Sequence, residues 1–134
     1  MSDAWRFKTE QLKSGREWRL LEDYQFSVAL RNEGRLVTVA GTVPEGFVFD
    51  FASIPRMFWR IAPPAAGKHA RASLIHDYLY VKKRARVSGV ERSVDKRTAD
   101  LVFKQAMLED EVSHWKAKAM FRAVDWFGKG TWDD

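Results

Sequence analysis

Hydrophobic positions in the first half of the chain recur at every second residue, which is the period of a β-strand. From Tyr24 to Leu30, aromatic and aliphatic side chains alternate with small or polar ones. Trp18 to Leu21 and Leu36 to Val39 have the same strand-like character, and Asn32-Glu33-Gly34 is a connection of hairpin length. The pattern predicts an antiparallel β-meander.

A further strand is predicted at Phe47 to Phe51, where three phenylalanines share one face and Asp50 points to the other. The chain must then leave the sheet at Pro55, because proline cannot donate to a strand ladder. Met57 to Ala62 fits a short helix that stops at Pro63-Pro64. This part of the chain predicts the end of the sheet.

The second half has the 3.6-residue period of helices. We predict helices from about His69 to Lys83, from a cap at Ser93 or Asp95 to about Glu109, and from Ser113 to Gly128. Strands followed by about three helices, packed together and on the sheet, predict an α+β fold. A length of 134 residues favours one domain over residues 1–134.

The apolar stripes of the last two helices are expected to be core. On the second helix they comprise Ala99, Val102, Phe103, Ala106 and Met107. On the third they comprise Ala117, Met120, Phe121, Val124 and Phe127, and we read the flanking Trp115 and Trp126 as part of the same packing surface.

Composition narrows the possible chemistry. The chain has no cysteine, so disulfides and thiolate metal sites are excluded. No stretch reaches the roughly 18 apolar residues of a membrane span, and the start lacks the plan of a signal peptide. The net charge of +5 implies only weak attraction to polyanions.

The segment from Leu74 to Tyr80 carries the candidate chemistry, because it sets a histidine and a carboxylate inside an apolar run. On a helix, His76 and Tyr80 lie one turn apart on one face, and Asp77 leans the same way. If the second helix folds back on the first, Asp100 comes level with His76. The spacing therefore predicts an imidazole, a phenol and carboxylates in one place.

Such a cluster suits metal-assisted hydrolysis. A carboxylate on one imidazole nitrogen would leave the other to take a proton from water, so His76 is the candidate base, Asp100 its orienting partner and Tyr80 an additional donor. Asp77 and Asp50 are candidate ligands of a hard cation, calcium or magnesium, which would stabilise an oxyanion.

A structural reading explains the same residues. Asp50 would bond to the turn through the amide of Ser53, a further candidate, and Asp77 would pair with Arg71 or Arg84. A buried bond between His76 and Asp100 would then be architecture. His69 is expected at the surface, and His114 in the first turn of its helix.

A basic stretch joins the first two predicted helices. We read Lys82 to Arg97 as a loop that is either a solvated connection or a weak contact for phosphates of nucleic acid or lipid. No aromatic residue is interleaved to stack on bases.

Several motifs in series resemble the domain-of-unknown-function family 1353, which is found mainly in tailed phages and prophages. They are Phe49 to Pro55, Ile75 to Tyr80, Arg97 to Asp100 with Phe103 and Ala106-Met107, and Ala123-Val124 with Phe127-Gly128. The resemblance covers roughly residues 16 to 130. It implies a phage or prophage origin, a place in the host cytoplasm or the virion, and a virion or host component as partner, but no established activity.

Two local likenesses concern the site. His76-Asp77-x-x-Tyr80 with Asp100 is similar to the helix pair of secreted phospholipases A2, which implies a histidine base and a calcium-binding aspartate. The cysteines and the glycine-rich calcium loop of that family are absent. The order His69, His76-Asp77, Asp100 also resembles the HD phosphohydrolases, although the spacing is too short and the strand-rich half does not belong to that all-helical fold.

Overall fold

A computed structural model describes residues 7–13, 17–49 and 69–127. Asp50, Ser53, the predicted helix at 57–62 and Gly128 lie outside these ranges, so the expectations for them stay predictions. The described elements, in chain order, are β1 (Thr9–Gln11), β2 (Trp18–Leu20), β3 (Tyr24–Asn32), β4 (Arg35–Val43), β5 (Val48–Phe49), α1 (Ala70–Lys82), β6 (Arg84–Val87), β7 (Val90–Ser93), α2 (Lys96–Glu109) and α3 (His114–Phe127).

The strands form two antiparallel sheets, and with the three helices they give the α+β fold that the sequence predicts. One sheet has the order β1-β2-β5 and the other β3-β4-β6-β7. The predicted hairpin is present between β3 and β4, with Glu33 and Gly34 at positive φ of 51° and 78°. These values suit a two-residue turn that matches the twist of its strands.

The end of the predicted meander differs from a simple up-and-down sheet. β5 pairs with β2, with Trp18 opposite Phe49, and not with β4. The turn after β4 explains the switch, because the Gly46 amide donates to the Leu20 carbonyl at 2.8 Å and the Leu20 amide donates to the Phe47 carbonyl at 2.9 Å. These two hydrogen bonds place β5 in the sheet that contains β1 and β2.

The basic connection between α1 and α2 is a β-hairpin, so the prediction of a loop was wrong. Ser88 and Gly89 form its turn at φ 50° and 87°, with Val87 opposite Val90. β6 extends the larger sheet by pairing with β4, where Val39 lies opposite Val87. Ala85 and Val87 already showed the period of a strand, but the surrounding cations obscured it.

Helix ends follow local signals. Asp95 caps α2, since its carboxylate accepts the Thr98 amide at 2.8 Å, which decides between the two predicted caps. α1 ends at Lys82, and the following Lys83 adopts the left-handed conformation with φ 57° and donates its amide to the Leu79 carbonyl. Among the described residues, no helix has the length and apolarity needed to cross a bilayer.

The core joins one face of each sheet to α1 and α2, and α3 packs on α2. All five predicted core residues of α2 are buried, as are Ala117, Met120 and Val124 of α3. Trp115 and Trp126 are 61% and 70% exposed, so their assignment to the packing surface was wrong. At about 100° per residue, Trp115 and Trp126 lie nearly opposite the centre of the buried stripe, so the helical spacing itself places them on the outer side of α3.

Candidate functional site

α1 and α2 bring His76 and Asp100 into direct contact. The Nε2 atom of His76 lies 2.7 Å from Oδ1 of Asp100, and both residues are 0% exposed. The neighbouring apolar residues on each helix, such as Ile75 and Phe103, anchor the two faces that meet here. The expected juxtaposition is present, whereas the chemical roles of the two residues stay predictions.

Tyr80 completes this contact from the next turn of α1. Its hydroxyl donates to Oδ1 of Asp100 at 3.0 Å. The imidazole of His76 lies between two rings, with centroid distances of 4.3 Å to Tyr80 and 4.7 Å to Phe103. The ring of His76 is therefore fixed in position by packing as well as by its hydrogen bond.

Lys96 is a member of the cluster that sequence reasoning missed. Its Nζ donates to Oδ2 of Asp100 at 2.6 Å and to the carbonyls of Val124 and Asp125, at 3.3 Å and 3.0 Å. Lys96 and Asp100 are four residues apart on α2, a spacing that brings opposite charges together on one helix face. That signal was present in the sequence but was attributed to the basic connection.

The electrostatics of the cluster follow from burial and these bonds. Burial lowers the pKa of His76 more than its hydrogen bond to Asp100 raises it, so the imidazole is neutral near pH 7. Burial acts to raise the pKa of Asp100, but hydrogen bonds from His76 and Lys96 outweigh it and hold that pKa below its usual value. Asp100 is thus an ionised acceptor, and His76 carries its proton on Nε2.

Tyr80 stays protonated in this environment. Its pKa is raised well above the ordinary value of 10.0, first by burial and then by the charge and hydrogen bond of Asp100. The cluster therefore holds one buried anion, one cation at its edge and two neutral donors. This is a balanced arrangement for charge that has been removed from water.

The other candidate ligand in the described chain is Asp77. It lies half-buried on α1 next to His76 and makes contacts of its own. Within residues 7–13, 17–49 and 69–127, no group of three or more His, Cys, Asp or Glu side chains is placed to hold a metal. A hard cation takes six or more oxygen ligands or waters. The described residues alone therefore do not fit calcium or magnesium, and the predicted cation site stays a prediction.

The remaining histidines differ in their exposure. His69 is only 6% exposed, so its placement at the surface was wrong. It directly precedes α1, where its carbonyl accepts the Ser73 amide at 3.0 Å, and the residues of the first turn that follow it are buried as well. His114 is the exposed first residue of α3, as predicted.

A buried cation elsewhere on α1, Arg71, ties that helix to β3 and to the end of α2. It donates to the Tyr24 hydroxyl at 3.1 Å and the Ser27 carbonyl at 3.3 Å, and it meets the carboxylates of Glu109 and Asp110 at 3.4 and 3.5 Å. The sequence offered Arg71 as a partner of Asp77. Its observed bonds instead join α1 to two other elements, and Arg71 is only 5% exposed. Its role is therefore architectural.

Comparison with known proteins places the chain without assigning an activity. It is 38% identical over 87 residues to "Uncharacterized protein y4jT" of Sinorhizobium fredii (strain NBRC 101917 / NGR234), a match that covers 64% of this chain and 23% of that protein. The chain thus spans less than a quarter of that relative's length. No solved structure matches. The family model described as "Protein of unknown function (DUF1353)" matches residues 18–124, and the chain belongs to this family.

Proposed function

We propose that this protein is phage- or prophage-encoded, that it acts in the virion or the host cytoplasm by binding a virion or host component, and that its His-Asp cluster is structural. The motif series from Phe49 to Gly128 supports the phage origin through the resemblance described above. The complete burial of His76 and Asp100 supports a structural cluster.

The proposal that the His-Asp cluster is structural rests on the burial of His76 and Asp100. A general base must reach water or a substrate proton within hydrogen-bonding distance. His76 has no exposed surface, and both carboxylate oxygens of its partner Asp100 already accept side-chain hydrogen bonds. The cluster is therefore arranged as a satisfied buried network and not as an open site.

The network joins three helices. His76 and Tyr80 come from α1, Lys96 and Asp100 from α2, and Lys96 reaches two carbonyls in the last turn of α3. Removing one member of a buried charged network leaves the others without partners, which costs more than the bond itself gained. The bracing role thus predicts a large loss of stability from small changes.

The test compares His76→Ala with His114→Ala in urea unfolding. We expect His76→Ala to lower the free energy of unfolding by about 3 kcal/mol, because it leaves a cavity and takes a donor from a buried carboxylate. His114 is exposed, so its removal should change little. His76→Gln keeps an N–H donor and should recover part of the loss. A His76→Ala protein as stable as the parent would overturn the bracing role.

A metal-assisted hydrolase is the second candidate, favoured by one specific observation. Asp100 orients His76 through its Nε2 atom, Tyr80 in turn donates to Asp100, and the lowered pKa keeps the imidazole in the neutral form that a base requires. In this reading His76 is the base, Asp77 and Asp50 are cation ligands, and Ser53 is a further candidate group.

Calorimetric titration with calcium and magnesium tests the second candidate. The hydrolase reading predicts saturable binding of one of these ions and a higher thermal midpoint in its presence. Asp77→Asn should abolish both effects, and Glu22→Gln, an exposed change elsewhere, should not. Absence of divalent binding with an unchanged midpoint in chelator would count against the hydrolase.

The basic connection from Lys82 to Arg97 is the surface that we propose for weak polyanion contact. Arg84, Arg86 and Arg92 are exposed on its hairpin, although Arg84 also pairs with Glu91 at 3.4 Å. Phosphate contacts of this kind weaken steeply with salt. Retention of the protein on heparin that does not depend on salt would contradict it.

A further inference from the structure

A cleft of about 580 Å³ lies between α2 and one end of the larger sheet, away from the His-Asp cluster. This volume is in the range of sites that hold small organic ligands, roughly 300 to 1,000 Å³. Neither His76 nor Asp100 lines it. The cleft is therefore separate from that cluster, whether the cluster is structural or catalytic.

The sheet supplies an apolar floor. Leu30 lies opposite Val37, and Val39 lies opposite Val87, which places these four side chains on the sheet face that meets α2. Leu30 and Val39 are buried, whereas Val37 and Val87 are only half-buried. The floor is thus continuous with the core at one side and accessible at the other.

α2 forms the opposite wall. Leu101, Gln105 and Leu108 follow one another at helical spacing, and all three are half-buried, unlike the fully buried stripe that packs on α1. Half-buried leucines facing half-buried valines leave apolar surface that the protein's own side chains do not fill. Such a concave apolar surface is what a ligand with an apolar body would cover.

The charged residues around the cleft are mostly basic. Of the described residues, Arg31, Arg92 and Lys104 line it, together with a single acid, Asp95. Asp95 is engaged in capping α2, where its carboxylate accepts the Thr98 amide. A ligand entering the cleft therefore meets cations whose charge the cleft's own acid does not balance.

Arg92 is the best placed of these cations. It lies opposite Ala85, whose side chain is buried on the helix-facing side, so strand pairing puts Arg92 on that same side of β7. Arg31 pairs with the exposed Leu36 and belongs to the other face. Lys104 lies 5.5 Å from the centroid of the Phe121 ring, a contact that already uses its charge. Arg92 is thus the cation that an anionic head group would meet.

We infer that this cleft is a binding site for an amphiphile with a carboxylate head and a linear apolar tail, a fatty-acid-like molecule. The tail would lie between the valine floor and the leucines of α2, and the carboxylate would bind Arg92. A guanidinium matches a carboxylate with two parallel hydrogen bonds, which gives specificity for that head group.

Decanoate, titrated calorimetrically below its micelle concentration, is the probe. We expect saturable binding of one decanoate per chain, weaker binding of decanol, and no measurable binding of butyrate, which lacks the tail. Arg92→Gln should weaken decanoate binding about tenfold and remove the preference for decanoate over decanol. Leu101→Gln should weaken both long-chain ligands, because it changes the apolar wall.

Arg86→Gln is the matched control. Arg86 lies on the same hairpin and its loss changes the net charge equally, but it alternates with the inward Ala85 and so lies on the outer face. Its decanoate affinity should equal that of the parent. Equal weakening of decanoate binding by Arg86→Gln and Arg92→Gln would show that the effect comes from surface charge alone, and it would overturn the inference. Non-saturable uptake of decanoate, or unchanged decanoate binding in Arg92→Gln, would also overturn it. Both arginines are exposed, and circular dichroism would verify that each variant is folded.

Discussion

At the scale of single residues, the carboxylate of Asp100 decides how the candidate site behaves. The sequence allowed its contact with His76 to be predicted, because both residues interrupt apolar runs on neighbouring helices. It did not allow the burial to be predicted, since that depends on Phe103 and on the packing of all three helices. Lys96 was missed because it lies in a run of cations, although its four-residue spacing to Asp100 was a sign of their pairing.

The first prediction concerns pH. The lowered pKa of His76 means that the unfolded chain takes up a proton below about pH 6.5 while the folded protein does not. The free energy of unfolding therefore decreases as the pH falls below that value, by up to about 1.4 kcal/mol per pH unit. Urea unfolding from pH 7.5 downward measures the slope.

His76→Gln provides the comparison, because His69 and His114 are retained in both proteins. The difference in slope between parent and variant isolates His76. Asp100 affects stability in a lower pH range, because a carboxyl with a lowered pKa loses its stabilising effect only as the pH falls below about 3.9. Identical slopes for both proteins between pH 7 and 5 would contradict the neutral, buried imidazole.

At the scale of elements, the hydrophobic periodicity predicted most of the helices and strands but not which strands pair with each other. The long strands β3 and β4 and all three helices could be predicted from their apolar spacing. The hairpin β6–β7 was missed because its alternation is short and the outward positions of β6 are arginines. That β5 pairs with β2 depends on backbone bonds around Gly46, which no pattern of side chains reveals.

The contact of β4 with its neighbours gives the second prediction. Gly41 lies opposite Phe26, and a Cβ at this position would be 3.0 Å from Cζ and 3.1 Å from Cε1 of that ring. Phe26 is 4% exposed and packs edge-on against Tyr78 with centroids 6.1 Å apart, so the ring has little room to move. Gly41→Ala should therefore cost about 1–3 kcal/mol of unfolding free energy through overpacking.

A double-mutant cycle with Phe26→Leu checks the cause. The smaller side chain at position 26 should reduce the cost of Gly41→Ala, which appears as a coupling free energy between the two positions. An equal cost in both backgrounds would mean that the glycine is required for another reason.

At the scale of the whole molecule, the helices are joined by polar contacts as well as by their apolar stripes. Lys96 connects the start of α2 to the end of α3, and Arg71 connects α1 to β3 and the end of α2. Sequence patterns predicted the apolar stripes but not these ties, because each tie brings together residues that are far apart in the chain.

The third prediction is that Lys96→Met loosens α3. The substitution keeps an unbranched side chain but removes the donor to Asp100 and to the carbonyls of Val124 and Asp125. Amides in the last turns of α3 should exchange faster with solvent, and the whole protein should lose about 2–4 kcal/mol of stability. Hydrogen exchange measured by NMR resolves the two effects.

Lys118→Met is the control, since Lys118 is an exposed lysine of α3 itself. It changes the charge equally and should leave exchange in the last turns unaltered. Faster exchange in both variants would show that the loss of a positive charge, and not the tie from Lys96 to Asp100 and α3, sets the stability of α3.

The β6–β7 hairpin also bears on self-association. Among the described strands, β7 is one of the two outer strands of its sheet, and all four of its residues are exposed, with Glu91 and Arg92 at its centre. An outer strand presents unpaired backbone groups on which another chain could continue the ladder, and charged side chains oppose such growth. The charges that hid this strand from sequence reasoning thus also guard the fold against aggregation.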